Sequence, residues 1–318
     1  MSTKTGRRPR VLFFGMQSDF STPSLQALLA NDIDVCAVVM PGATRPGLHQ
    51  PALQRREPLR GRRAALPLHF HNVSILEIAW EQQLPVWEVR GLSDATAHST
   101  LAAYEADIVC VACFSQRIPR ATLALPRLGC LNVHPSLLPA NRGPVPLFWT
   151  FRNGERVTGV TIHFLQAAMD TGDIVAQETI PVSDGVSYAR LEMHCAAQGG
   201  VLLANAVHTL HAGDIVRTPQ DEANSSTYSF PTGKDFVVQA EAWDARHVYN
   251  FINGVGDWGE PIAIQAGAEI LFTRACASYS LLDGDEPQEK GDTNDSGWKS
   301  VCCRDGWVRV KTLDTRQR

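Results

Sequence analysis

Residues 107–113 read DIVCVAC, a nearly continuous run of apolar and β-branched side chains. A strand of this kind is buried on both faces, which is typical of a parallel sheet that is covered on both sides. Helical patterns, as at 73–83, separate several further apolar runs. The alternation predicts an α/β fold with a doubly wound, mostly parallel sheet, whose ligands bind beyond the carboxyl ends of the strands. The further runs lie at 10–15, 35–40, 84–89 and 130–134.

The second half of the chain is predicted to contain a second, smaller domain. Two strands with polar alternation, at 159–165 and 173–182, precede a long helix that ends near residue 213. The following polar, irregular stretch suits a linker. The last segments alternate as β-strands around glycine-containing turns, as in a small all-β barrel. The predicted organisation is an α/β domain at 8–213, a linker at 214–235 and a β-barrel domain at 236–318.

The composition of the 318-residue chain is that of an ordinary globular protein, with 44% hydrophobic and 19% charged residues. No apolar stretch approaches the ~20 residues of a membrane span, and too few apolar residues precede Met16 for a signal peptide. These features predict a cytoplasmic protein with no membrane partner. Cys110 and Cys113 lie three apart on a predicted strand and face opposite sides, and no second pair has zinc-binding spacing. We therefore expect no metal site.

Two charged regions point to different partners. An arginine-rich stretch near residue 60 is interpreted either as a solvated loop or as a mobile arm for a phosphate-rich ligand. Residues 230–318, in contrast, contain 10 Lys and Arg against 14 Asp and Glu, a net charge of −4. A domain that docks on nucleic acid is expected to be basic. The arginines of the stretch are Arg55, Arg56, Arg60, Arg62 and Arg63.

Residues 130–143, CLNVHPSLLPANRG, place two polar side chains at the end of an apolar strand. Asn132 and His134 are two residues apart and share one face, and Pro135 ends the strand at the carboxyl edge of the sheet. A core histidine with a backbone partner is the alternative for His134 taken alone. Asp170, in a predicted turn, favours a catalytic role for His134 instead, because a carboxylate beside an imidazole raises the basicity of the ring and fixes its tautomer.

The set of polar groups lacks an evident nucleophile. Ser136 is the nearest hydroxyl, but it lacks the Gly-x-Ser-x-Gly elbow that would expose it, so it is interpreted as structural. An amide beside the imidazole and the carboxylate is able to donate to an oxyanion. The combination predicts direct transfer of a group to an incoming nucleophile.

Several motifs of this region together resemble the formyltransferase family. They are Asn132-x-His134, Ser136-Leu-Leu-Pro139, Arg142-Gly143, Gly159-Val-Thr-Ile and Asp170-x-Gly172. Residues 114–129 are similar to the folate-pocket segment of the family, and 243–255 to the start of the carboxyl-terminal domain of methionyl-tRNA formyltransferases. The resemblance implies a Rossmann-like catalytic domain followed by an OB-like barrel.

The resemblance also implies a reaction: transfer of a formyl group from 10-formyltetrahydrofolate to an amine, without a metal ion. It implies that Asn132 and His134 hold the formyl oxygen. Asp170 is then expected to orient His134, keep it charged in the transition state and help to take the amine proton. The implied folate-binding residues are Gln116, Arg117, Ile118, Ser136, Leu137, Leu138, Pro139, Gln166, Ala167, Ala168 and Met169.

Departures from the family pattern bear on the acceptor. Pro135 stands where methionyl-tRNA formyltransferases usually have glycine, and residues 140–149, ANRGPVPLFW, replace their Trp-Arg-Gly-Ala-Ala-Pro stretch. Residues 159–163, GVTIH, look more like amino-sugar formyltransferases. With the acidic carboxyl-terminal region, these features favour a small-molecule amine or a nucleotide-linked amino sugar over tRNA. The alternatives are a methionyl-tRNA formyltransferase proper and a formyltetrahydrofolate hydrolase.

Overall fold

An eight-stranded mixed sheet organises much of the chain, which a computed structural model describes at residues 6–43, 50–58, 73–282 and 297–314. The strands lie side by side in the order β3-β4-β2-β1-β5-β6-β7-β8 with the following bounds. They are β1 (Arg10–Gly15), β2 (Asp34–Pro41), β3 (Leu53–Arg55), β4 (Val86–Val89), β5 (Ile108–Ala112), β6 (Gly129–His134), β7 (Val157–Phe164) and β8 (Ile174–Pro181).

The centre of this sheet is parallel, as the apolar runs predict. β4, β2, β1, β5 and β6 pair in parallel, with β2 and β4 on one side of β1 and β5 and β6 on the other. β3 is antiparallel to β4, and β7 is antiparallel to β6. The prediction of a mostly parallel sheet is confirmed. β3 was not predicted as a strand, because its residues fall in the stretch that was interpreted as a loop or arm.

Helices connect the strands, and side chains cap two of them. Ser74 and Glu77 form a capping box at the start of α2, and the Asp94 carboxylate accepts two backbone N–H groups at the start of α3, which satisfies donors that a helix leaves free. Over the described ranges, no helix combines the length and apolar character that a membrane span requires. The helices are α1 (Ser21–Ala30), α2 (Ile75–Glu81), α3 (Ala95–Ala102), α4 (Arg120–Leu123), α5 (Pro146–Arg152), α6 (Tyr188–Ala212) and α7 (Ala245–Val255).

Burial along β7 differs from the polar alternation predicted for residues 159–165. Every residue from Thr158 to Phe164 is buried. The polar members of the strand are accommodated by partners: the hydroxyls of Thr150 and Thr158 are hydrogen-bonded, and Thr161 donates to the Ser136 carbonyl. Alternating polarity here marks side chains with buried hydrogen bonds rather than a solvated face.

Contacts between residues divide the chain into two compact units. The second unit comprises Gly143–Thr158, Ile180–Leu191 and Thr227–Arg318 and contains a five-stranded sheet of order β12-β13-β11-β10-β9. Over the described residues this sheet is open, so the barrel closure predicted from the sequence is not seen, and the predicted domain boundaries stay a prediction. Its strands are β9 (Val237–Gln239), β10 (Ile262–Ala266), β11 (Glu269–Leu281), β12 (Trp298–Cys302) and β13 (Gly306–Thr312).

Two glycines let α6 approach its neighbours in the first unit. A Cβ added at Gly199 would lie 2.6 Å from Val133 Cγ1, and one added at Gly200 would lie 2.7 Å from the carbonyl oxygen of Pro23. The second of these contacts is with backbone, which has no rotamer to move aside. Close packing of α6 on α1 therefore depends on the missing side chain.

We predict that Gly200→Ala destabilises the protein. Alanine is the better helix former by about 1 kcal/mol, but overpacking against a fixed backbone oxygen costs about 1–3 kcal/mol, so the expected net loss is up to about 2 kcal/mol of unfolding free energy in urea titrations. Asn205→Ala, at an exposed position of the same helix, is the control and is expected to leave stability equal or slightly raised. Higher stability of Gly200→Ala, as helix propensity alone predicts, would contradict the assigned packing.

Candidate active site

The register between β6 and β7 assembles four polar residues on one face of the sheet. Asn132 lies opposite His163, and His134 lies opposite Thr161. Since side chains alternate along a strand and opposed residues point the same way, all four share a face. His134, His163 and Thr161 are buried, and Asn132 is partly exposed.

Asp170 brings a carboxylate to this face from the turn that follows β7. Its backbone has φ of 54°, in the left-handed region that few non-glycine residues occupy. Oδ2 lies 3.8 Å from Nδ1 of His134, and Oδ1 lies 3.7 Å from Nε2 of His163. Both separations exceed a hydrogen bond. The carboxylate therefore stands between two imidazole rings at ion-pair distance, as the sequence predicts for His134 but not for His163.

The proton on neutral His134 is placed by a backbone carbonyl. Nε2 is 3.0 Å from the carbonyl oxygen of Asn141, and because a carbonyl only accepts, Nε2 must carry the hydrogen. Nδ1 is then the unprotonated nitrogen, and it is the one that faces Asp170. Nδ1 is therefore the nitrogen at which the neutral ring is able to accept a proton.

His163 is held neutral in the same site. Its Nδ1 donates to the carbonyl of Phe164 at 2.9 Å, so its Nε2 accepts the N–H of the Asn132 side chain at 3.0 Å. Burial, followed by the nearby His134, lowers the pKa of His163 from its ordinary 6.5 to about 4. This hydrogen bond fixes which end of the Asn132 amide carries the N–H groups.

The Ser136–Pro139 loop after β6 is fastened through its backbone. The Thr161 hydroxyl accepts the Leu138 N–H at 3.2 Å and donates to the Ser136 carbonyl at 2.6 Å, while Gln177 donates to the Leu138 carbonyl at 2.9 Å. The Ser136 hydroxyl donates to the Ala140 carbonyl at 2.7 Å and is fully buried. A buried hydroxyl whose hydrogen is already bonded to a backbone carbonyl agrees with the structural role predicted for Ser136.

The structure brings together two of the three predicted folate-binding segments. Arg117 donates to the Ala167 carbonyl at 3.2 Å, and both residues line a cavity of about 560 Å³ with Ile118. Gln116 donates to the carbonyl of Val89. Ser136 and Leu138 are buried, so this segment offers backbone rather than those side chains. The remaining predicted residues are partly or fully exposed: Leu137, Pro139, Gln166, Ala168 and Met169.

The two described residues of the arginine-rich stretch already have acidic partners. Arg55 lies 2.9 Å from Glu57, and Arg56 lies 3.1 Å from Glu88. Arg60, Arg62 and Arg63, the other residues of this prediction, lie outside the described residues. Glu88 also pairs with Arg90 at 2.6 Å, so Arg56 shares its acidic partner with a second arginine.

Sequence reasoning missed His163 and Asn141. The signal for His163 was its position in GVTIH at 159–163, since antiparallel pairing places a strand neighbour opposite Asn132. No signal pointed to Asn141, which acts on His134 through its backbone carbonyl and adopts a φ of 57°. A role that belongs to the backbone leaves little trace in side-chain identity.

The arrangement suits acid–base chemistry on a polarised carbonyl. It combines an amide donor, an imidazole with a free nitrogen beside a carboxylate, and a committed serine that does not serve as nucleophile. Within the described ranges, no group of three or more His, Cys, Asp or Glu residues is arranged to hold a metal ion. Fold and site together suit an enzyme that acts on a carbonyl group.

The chain belongs to the formyl transferase family, whose sequence model matches residues 10–207. Methionyl-tRNA formyltransferase of Synechococcus elongatus is 35% identical over 296 residues, 89% of this chain and 84% of that protein. Among solved structures, an N-formyltransferase from Helicobacter canadensis in complex with folinic acid and dTDP-3-aminofucose superposes with a TM-score of 0.64 at 16% identity, over 95% of this chain and 98% of that one. A variant of HypX from Aquifex aeolicus has a TM-score of 0.57 at 18% identity, over 96% of this chain but 44% of that one.

We predict that His163 makes stability depend on pH below neutrality. The unfolded chain binds this proton near pH 6.5 and the folded chain near pH 4, so stability falls as the pH falls from 6.5 towards 4 and is unaffected above that window. His163→Gln is expected to flatten the slope by up to about 1.4 kcal/mol per pH unit, measured by urea unfolding at pH 7, 6 and 5.

The control is His194→Gln, which removes an exposed histidine and is expected to leave the slope unchanged. Because slopes rather than absolute stabilities are compared, a general loss of stability in His163→Gln does not obscure the result. An unchanged slope in His163→Gln would show that this residue is not held neutral by the fold.

Proposed function

We propose that the protein is an N-formyltransferase that uses 10-formyltetrahydrofolate as donor and an amine as acceptor. The observation that carries the proposal is the Asp170 carboxylate between His134 and His163, at 3.8 Å and 3.7 Å, with the Asn132 amide fixed on the same face. Membership of the family supports the formyl chemistry. The finer assignments, of an OB-like barrel and of particular folate contacts, belong to the same proposal.

Asn132 would act on the formyl oxygen through its amide, and His134 would donate to it once Nδ1 is protonated, because its Nε2–H is bound to the Asn141 carbonyl. One N–H of the Asn132 amide is committed to His163, which leaves the second for an incoming oxygen. As the amine nitrogen forms a bond to the formyl carbon, the carbonyl becomes a tetrahedral oxyanion. A preorganised donor aimed at that oxygen stabilises the charge as it develops, a contribution that mutagenesis of other enzymes places at about 3–4 kcal/mol per donor.

Proton transfer would use His134 and Asp170. The attacking amine loses one proton, and collapse of the tetrahedral intermediate breaks the bond between the formyl carbon and N10 of the donor, which takes a proton. Nδ1 of His134 is the unprotonated nitrogen of the neutral ring and faces the carboxylate, so a proton held there is stabilised by Asp170. His163, held neutral by burial, orients Asn132 without competing for this proton.

The folate donor would occupy the cavity that includes Ala167, three residues before Asp170. Arg117, Ile118 and Ala167 line it, and they come from two of the three segments that the family resemblance assigns to the pterin pocket. The Ser136–Pro139 loop, fastened by Thr161 and Gln177, would contribute backbone groups. Calorimetry is expected to detect binding of a 5-formyl folate analogue, and its absence at millimolar ligand would refute the proposal.

For the acceptor we favour a small amine, such as a nucleotide-linked amino sugar, over tRNA. The net charge of −4 over residues 230–318 supports this choice, as does the pairing of Arg55 with Glu57. Methionyl-tRNA is the second candidate, because relatives such as that of Synechococcus elongatus carry this name and align over most of the chain.

We predict that Asp170→Asn lowers turnover by about 10²-fold or more while the protein stays folded, because it removes the charge that stabilises protonated His134. Steady-state kinetics with the accepted amine give the measurement, and His134→Ala is expected to lose at least as much. The control is Asp173→Asn, the same change of charge in the same turn. Full turnover in either catalytic variant would refute the mechanism.

The salt dependence of formylation is expected to identify the acceptor class. A tRNA contacted through about six phosphates would lose affinity by orders of magnitude between 50 and 200 mM salt, whereas a nucleotide-linked amine would show a shallow dependence. We predict turnover with the amino-sugar nucleotide and none with methionyl-tRNA above background. Efficient, steeply salt-dependent formylation of methionyl-tRNA that is lost when the five arginines at 55–63 become alanine would assign the second candidate instead.

A further inference from the structure

We call the segment Thr218–Ser226 the strap; the sequence predicts it only as part of a linker. It is bonded to the loop that follows β6 and to the end of the turn that carries Asp170. At one end, Thr218 and Ile174 exchange two backbone hydrogen bonds of 2.9 Å, beside the turn that carries Asp170. At the other end, the Ser226 carbonyl accepts the Arg142 N–H at 2.9 Å and the Ser226 hydroxyl accepts the Asn141 N–H at 2.8 Å. The strap is therefore bonded next to the residues that carry the site.

Gln220 connects the Asp170 turn to Arg142 through its side-chain amide. Its Nε2 donates to two carbonyl oxygens, those of Asp170 at 2.8 Å and Gly172 at 2.7 Å. Its Oε1 accepts from Nε of Arg142 at 3.1 Å and from Nη2 at 2.8 Å. Carbonyls only accept and guanidinium only donates, so the orientation of this amide is fixed by its partners, and both of its ends are used.

Arg142 is in turn held by an acid of the strap. Arg142 is 4% exposed, and its guanidinium contacts both carboxylate oxygens of Glu222, at 2.9 Å and 2.8 Å. A buried guanidinium with a bidentate partner has a fixed position. Glu222 thus holds Arg142, and Arg142 holds the side-chain oxygen of Gln220. These contacts fix the position of the Gln220 amide, whose nitrogen donates to the Asp170 turn.

We propose that Gln220 is a positioning residue for formyl transfer, acting on the reaction through Asp170. This inference rests on the proposed function and extends it to a residue that touches neither substrate. The left-handed backbone of Asp170, with φ of 54°, is unfavourable for an L-residue. Two hydrogen bonds to the carbonyls of this turn stabilise it in the one conformation that sets the carboxylate between the two imidazoles.

The requirement is specific for an amide. A carboxylate at position 220 would keep the shape and the contact with Arg142, but it would place an acceptor against two acceptors. The Asp170 turn would then lose both side-chain bonds and shift. Misplacement of a catalytic group by about 1 Å costs on the order of 10²-fold in rate.

A double-mutant cycle tests the proposal. Gln220→Glu is expected to lower kcat by on the order of 10- to 100-fold, with the KM for the folate donor changed by less than about 3-fold. In the Asp170→Asn background, the same substitution is expected to cost less than about 3-fold, because the group it positions is already impaired. Gln82→Glu, an exposed position on the same unit, is the control for the added charge and keeps wild-type kcat.

Two kinetic outcomes would overturn the proposal. One is wild-type kcat in Gln220→Glu, which would show that Asp170 does not depend on this amide. The other is an equal loss in both backgrounds, which would show that Gln220 acts on stability in general and not through Asp170. Where Gln220→Glu does not yield folded protein, Gln220→Met, which removes the donor without adding charge, enters the same cycle.

Hydrogen–deuterium exchange separates this proposal from the proposed function. The peptide covering residues 164–174 is expected to exchange at least about 10-fold faster in Gln220→Glu, while the peptide covering β6 is unchanged, since local opening reports the loss of local bonds. This measurement needs no acceptor. A wild-type protein that formylates no amine would refute the proposed function alone, and unchanged exchange at 164–174 would refute the role of Gln220 alone.

Discussion

The antiparallel pairing of β6 with β7 is the constraint on which the site depends. It sets Asn132 opposite His163 and His134 opposite Thr161. A slip of one residue would turn one set of these side chains to the other face of the sheet. The same register gives the Thr161 hydroxyl its bonds to the Ser136–Pro139 loop, so a single pairing places the amide, the imidazole and the loop.

Buried polar groups in this region are tolerated because each has a defined partner. His163 is neutral and bonded at both nitrogens, and Arg142 is paired with Glu222 and bound to Gln220. An uncompensated charge at such a depth would cost several kcal/mol. The cost of burial thus selects one arrangement of donors and acceptors, and that arrangement fixes the tautomers of His134 and His163 and the orientation of the Asn132 amide.

Side-chain periodicity was sufficient to predict the central sheet and the two site residues that lie on β6. The apolar runs at β1, β2, β4, β5 and β6 follow from burial on both faces, and the two-residue spacing of Asn132 and His134 follows from strand geometry. It failed at β3, where pairing with β4 at the sheet edge decides the strand, and along β7, where buried polar residues imitate a solvated alternation. It also gave no sign of the strap, whose bonds go largely to backbone atoms of residues distant in sequence.

The sequence by itself determined the class of fold, the family and the three polar residues Asn132, His134 and Asp170, because these depend on residue type and short-range spacing. The tertiary structure decided how they are arranged: that Asn141 holds the proton of His134 on Nε2, that His163 directs the Asn132 amide, and that Gln220 binds the turn of Asp170. The physical reason is that hydrogen-bond direction and burial are properties of groups that folding brings together, and backbone carbonyls are the same in every residue.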